Sequence, residues 1–177
     1  MDFANLDTQT RELMISEINS DIAANRIYQS PRLTAKGLQD FPSLLLKAAK
    51  DGDTHSLASA ISLNGRLNTR EISHRNGNPY EKDVPVNASQ TLAEGEFNRF
   101  YMRGVCLRAL SLGLDHVTVY RAKQVNNQRS ASIALDGTHK DAQGLLDDLR
   151  KNVGTDTALG LPNGPNSGLS IRLPEKG

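Results

Sequence analysis

Tryptophan is absent from this chain, and cysteine occurs once, at Cys106. A single cysteine cannot close an internal disulfide and cannot supply the thiolate set of a structural zinc site, so a reducing compartment is the default. Aromatic residues make up 5% of the sequence and apolar residues 37%, against the ~45–50% usual in globular chains. A core can therefore form over only part of the 177 residues, and some segments are expected to lie extended or to rest on a partner. An excess of one charge is lacking too: 21 Lys and Arg stand against 20 Asp and Glu, for a net charge of +1. A nucleic-acid-binding domain is expected to be clearly basic, so this total does not favour one, although it leaves room for a local basic stripe. No apolar run approaches the ~18 residues of a membrane span. The N-terminal MDFANLDTQTRELM has no apolar signal core. No membrane is expected as a partner, and the expected place of manufacture and assembly is a cytoplasm.

Residue types that carry chemistry are present but scattered. His55, His74, His116 and His139 show no pair at metal-ligand spacing and no His-Glu-x-x-His. Cys106 lies among apolar neighbours in mid-helix, where a thiol is inert rather than nucleophilic. Glu94 with Glu96, and Asp147 with Asp148, are too close in sequence to converge from one helix, whereas acid–base catalysis needs two carboxylates in one cleft. The glycine-rich stretch 160–168 lacks the strand before, the lysine and the helix after that a phosphate loop requires. No catalytic residue, cofactor or metal is expected, and the chain does not read as an enzyme.

What is present is pattern. Residues 7–27 read as a helix capped by Asp7 or Thr8, with Leu13, Ile15, Ile18 and Ile22 as its apolar stripe and Arg11, Glu17, Asn19, Asp21 and Asn25 on the polar side. Ser30-Pro31 breaks it. Thr34 caps a short turn through Phe41, Pro42 opens the next helix, and Asp53 caps a third that ends near Asn64-Gly65. Residues 66–86 change character. Asn76-Gly77 between two polar arms is the strongest short hairpin signal, and the arms are charged, with few apolar residues (Ile72, Tyr80, Val84). A projecting hairpin follows, with Arg75, Asn76 and Tyr80 as the residues it offers to a neighbour; the competing reading is a solvated surface loop.

Asn87 then caps one long helix to Leu112, and Gly113 stops it. Arg99 and Arg103, four apart, fall opposite its apolar face. Residues 116–125 alternate as a strand. Arg99, Arg103 and Arg108 with Arg121, Lys123 and Arg129 can form a basic patch where helix and strand meet, for nucleic-acid phosphate or, as favoured by the neutral total, for pairing with Asp and Glu of this or a neighbouring subunit. SASIAL (130–135) reads as a second short strand. Thr138 and Asp141 resemble a capping box for a helix ending at Gly154. The last segment is rich in Gly and Pro and cannot build its own core. Its Leu169, Ile171 and Leu173 alternate, so it reads either as disordered or as an arm adding a strand to a neighbour's sheet edge. The expected architecture is α+β and mostly helical: a single domain over 1–153 (helical 1–65, hairpin 66–86, helix–strand scaffold 87–153) with an extended arm over 154–177.

Within residues 94–125 stand Glu96-Phe97-Asn98, Tyr101, Arg103-Gly104 and then Val117, Val119-Tyr120-Arg121-Ala122. This helix-and-strand pair resembles a group of small proteins encoded by tailed phages and prophages near their capsid and portal genes. Residues 31–61 resemble the helical N-terminal part of the same group. The resemblance implies a virion structural protein rather than a defined activity: a capsid decoration or stabilisation protein, or a head-to-tail connector component. Its partners would be copies of itself and other virion proteins, major capsid or portal, and its location the virion. The alternative from another class is a small nucleic-acid-binding or regulatory module using the Arg/Lys patch.

Overall fold

The computed structural model describes residues 1–124, 130–154, 159 and 167–175. Among them six helices and five short strands make a mixed α+β, mostly helical fold. Helix α1 (Thr8–Ala23) is capped by Asp7, whose carboxylate accepts from the Thr10 N–H at 3.1 Å. Its buried positions are Thr10, Met14, Glu17, Ile18 and Asp21. That is also a helical stripe, spaced by three and four; it shares Ile18 with the expected Leu13–Ile15–Ile18–Ile22 stripe but is turned away from the rest of it. Ile22 is 38% exposed, while Glu17 and Asp21 go inside. The next two expected segments are one helix, α2 (Ala35–Asp51), which begins at a Thr34 cap and runs through Pro42. Proline costs a helix one hydrogen bond, here to the carbonyl of Leu38. Leu38 is a surface residue, and Phe41 and Leu45 on either side of the proline are fully packed, so burial carries the helix across. Asp53 and Ser56 form a reciprocal capping box at the start of α3 (Thr54–Ser62).

Strands β1 (Arg70–Arg75) and β2 (Asn78–Asp83) form an antiparallel ribbon joined by Asn76-Gly77. Both turn residues have positive φ, 52° and 81°, as a two-residue type I′ turn demands. Helix α4 (Ala88–Ser111) follows. Asn87 precedes it, but its side chain makes no capping bond, contrary to expectation. At 24 residues α4 is about 36 Å long. It is the axis of the molecule: α1, α3 and α6 pack along it and α2 packs on α1 and α3. Every residue from Glu96 to Cys106 is buried.

Strand β3 (His116–Arg121) is the centre of a three-stranded antiparallel sheet of order β4-β3-β5. The turn at 126–128 and Arg129 lie outside the described residues. SASIAL is not a strand but the short helix α5 (Ser130–Leu135). Residues 139–141 are strand β4 (His139–Asp141), and Asp141, not Thr138, caps α6 (Ala142–Lys151). Of the glycine-rich stretch 160–168, read above as no phosphate loop, positions 160–166 lie outside the described residues. Strand β5 (Leu169–Arg172) pairs with β3 of its own chain, Ile171 opposite Val119. Both are fully buried. The described part of the expected arm is thus an internal edge strand of the domain.

Candidate functional site

Asn98, Tyr101, Arg103 and Gly104 hold α4 against its neighbours. Arg103, 1% exposed, lies between two carboxylates of α1. Its Nε donates to Glu17 Oε2 at 2.6 Å, and its Nη1 to Asp21 Oδ2 at 2.5 Å. Arg150 of α6 donates to both oxygens of Glu17, at 3.0 and 2.6 Å, and Arg26 donates to Asp21 at 3.0 Å. Three guanidiniums and two carboxylates therefore tie α1, α4 and α6 together. Burial alone would raise both acids. For Glu17 the hydrogen bond from Arg150 and the charge of Arg103 outweigh it, and for Asp21 the bond and charge of Arg103 do so, leaving both carboxyls below their ordinary values. Beside Arg103, Gly104 brings the two helices together: a Cβ there would sit 3.0 Å from the Thr10 carbonyl oxygen and 3.1 Å from Met14 Cγ.

Glu96 is the exception in this interior. Its Oε1 accepts from Arg99 Nε at 3.3 Å, and its buried Oε2 has no partner among the described residues. Burial pushes its carboxyl up, with Arg99 acting against the shift. Asn98 binds the last strand. Its Nδ2 donates to the Leu169 carbonyl at 2.9 Å and its Oδ1 accepts from Ser170 Oγ at 2.6 Å. Tyr101 and Tyr120 turn their hydroxyls to the N-terminal segment, accepting from the Asn5 and Ala4 N–H groups, each at 3.0 Å. Tyr120 also donates to the Asp2 carbonyl at 2.8 Å, and Phe3 rests on Tyr101 with ring centroids 4.6 Å apart. Cys106 is fully buried, and burial pushes its thiol up to about 12, so it is no nucleophile.

Of the two readings of the expected basic patch, these contacts are those of pairing within the chain rather than of an open phosphate-binding surface. Arg99 and Arg103 are interior residues. Arg108 binds Asp7 at 2.6 Å, Lys123 binds both oxygens of Glu94 at 2.7 Å, and Arg121 donates to the Ser167 carbonyl at 3.2 Å. The neutral composition is thus spent largely on internal pairing. Leu169 and Ile171 are likewise core residues, and Leu173 is half-buried with its N–H bonded to Asn5 Oδ1 at 2.8 Å. Of the residues expected to meet a neighbour, Arg75, Asn76 and Tyr80 remain at the surface.

Those three sit at the hairpin, whose two strands are largely exposed. Its strand register puts Arg70, Ile72, His74, Pro79, Glu81 and Asp83 on one face, and all six are exposed. Ile72 is 65% exposed in the middle of that face, beside an Arg70 that pairs with Asp83 at 2.8 Å and Glu81 at 3.3 Å. The other face meets the body only at its base, where Arg32 binds Glu71 at 2.6 Å. Towards the tip, Arg75, Asn76, Asn78, Pro79 and Tyr80 line a shallow open groove.

The histidines are less scattered in space than in sequence. His116 on β3 and His139 on β4 meet with ring centroids 4.8 Å apart and ring planes at 73°. The signal for this was the strand β4, which the expected capping box at Thr138 concealed. No helix among the described residues is long and apolar enough to cross a membrane. Comparison with protein-family models, with curated proteins and with solved structures finds no match.

Proposed function

We propose that this chain is a structural subunit of a tailed-phage virion, a capsid decoration or stabilisation protein or a component of the head-to-tail connector, and that the 70–83 hairpin is its contact with copies of itself or with capsid or portal subunits. The observation that supports the reading is the hairpin itself. A two-stranded ribbon is marginal in water on its own, yet this one carries a defined turn, a charged ladder and an exposed Ile72 on a face that the described residues leave uncovered. Such an element gains its burial from a neighbour, and repeated subunit contacts are what virion proteins supply. The resemblance of the α4–β3 stretch to phage and prophage proteins points the same way. The expectation of an arm reaching a neighbouring subunit through Leu169, Ile171 and Leu173 is dropped, because those residues complete this chain's own sheet and core. The nucleic-acid alternative loses its best arginines to the interior.

The test replaces residues 72–81 by Asn-Gly, which keeps the Arg70–Asp83 and Glu71–Lys82 pairs and the Arg32–Glu71 anchor. The shortened chain should remain a folded monomer and fail to join particles that the intact chain joins in many copies. Absence of the intact protein from purified particles, or unchanged incorporation of the shortened one, overturns the proposal. Binding of the intact chain to DNA with a steep salt dependence would favour the alternative.

A further inference from the structure

The His116–His139 pair has the features of a ligand set. Strand register places Thr118 opposite His139 and His116 opposite Asp141, so both imidazoles stand on one face of the sheet, on neighbouring strands. Each ring is held by its Nδ1. Asp115 Oδ1 lies 2.7 Å from His116 Nδ1, and Thr118 Oγ1 lies 3.2 Å from His139 Nδ1. A carboxylate only accepts, so neutral His116 carries its proton on Nδ1 and presents a lone pair at Nε2. The Thr118 hydroxyl can accept from His139 Nδ1 in the same way, and among the described residues neither Nε2 has a hydrogen-bond partner. A carboxylate or hydroxyl behind the ring is the usual outer support of a metal-binding histidine. The spacing also fits. Two imidazoles that bind one cation at ~2.1 Å, with a ligand angle of about 90–110°, have centroids roughly 4.5–5.2 Å apart, and these stand at 4.8 Å.

We propose that His116 and His139 form a two-histidine anchor for one late first-row divalent cation of the zinc, nickel or copper class. Imidazole nitrogens favour those ions over magnesium or calcium. No group of three or more His, Cys, Asp or Glu suited to a metal occurs among the described residues, so water or a ligand from outside fills the other positions. Asp115 is a positioning residue that fixes the His116 tautomer.

The experiment titrates the full chain with zinc chloride and, separately, nickel chloride. Heat is read by calorimetry, and the four histidine ring signals are followed by NMR with zinc. The expected result is one ion per chain, with the His116 and His139 signals moving together while those of His55 and His74 stay. His139→Ala should abolish the transition, and Asp115→Ala should weaken it about tenfold. Both positions are exposed, and thermal melts of the variants report whether the fold is kept. The wild-type ring signals test the proposal whatever the variants do. No binding by about 1 mM, the weak end of specific association, overturns it. So does unchanged affinity in a folded His139→Ala, or movement of the His55 and His74 signals in step with the pair.

Discussion

Arg103 is almost wholly enclosed, with Glu17 and Asp21 as its acceptors, and taking it away leaves Glu17 with Arg150 and Asp21 with Arg26 as their remaining, half-exposed partners. Breaking a buried pair from one side typically costs about 3–5 kcal/mol, so Arg103→Ala should lose that much in urea denaturation. Arg70→Ala, on the solvent face of the hairpin, should not move the midpoint measurably. The same cluster sets the acid limit of the fold. Glu17 and Asp21 sit below their ordinary values of 4.5 and 3.8, so as pH falls the unfolded chain takes up these protons first. Their contribution is complete above about pH 4.5 and is lost as pH drops through the lowered folded values. Glu96 works in the opposite sense. Its folded value is raised above 4.5, so the folded chain keeps that proton longer and stability declines as pH climbs from 4.5 through the raised value. Glu96→Gln removes this decline. Its melting temperature relative to wild type should rise between pH 4.5 and 8, and a difference that is flat with pH would contradict the assignment.

Two helices meet at Gly104, and the space for a side chain there is already taken by Thr10 and Met14. Gly104→Ala gains helix propensity but must push α1 away, and a net loss of about 1–3 kcal/mol is expected from chemical denaturation. The elements readable from sequence were those whose signal is local. Asn76-Gly77 specifies its turn through backbone conformation, Asp53 its cap through one carboxylate, and residues 116–121 their strand through alternation. Signals that depend on what lies opposite were not readable. The face of α1 is chosen by Arg103, 86 residues away from Glu17, which turned two acids inward. The continuity of α2 across Pro42 is decided by packing at Phe41 and Leu45. Ser-Ala-Ser-Ile-Ala-Leu alternates as a strand would, yet forms α5. The exposure of the hairpin's tip was legible, because its arms are charged and poor in apolar residues, and the described residues leave it uncovered. Pairing of the basic residues with Asp and Glu was readable from the neutral total, but the particular partners were not, because those of Arg103 and Arg108 lie on or beside α1 and those of Arg99 and Arg121 include the carbonyls of Asn152 and Ser167.

For the molecule as a whole, the decisive correction concerns its last described strand. A free arm could be removed without harm, and the alternation of Leu169, Ile171 and Leu173 reads equally well that way. Within the fold, β5 covers one edge of β3, buries Leu169 and Ile171, and satisfies Asn98. Deleting residues 155–177 should therefore yield an unfolded or aggregating chain rather than a folded monomer, and a sharp two-state melt of the truncated protein would refute the placement. The same closure has a consequence for how the protein is made. Asn5 and Leu173 are bonded although 168 residues separate them, and Asp2 donates to the Ala122 carbonyl at 2.7 Å. Ribosomal synthesis delivers α4, whose middle demands burial on every side, well before the strand that Asn98 grips. Until residue 172 emerges, the nascent chain carries an unfinished sheet edge, a state in which chains aggregate. Closing it means joining distant parts of the sequence, a slow kind of search.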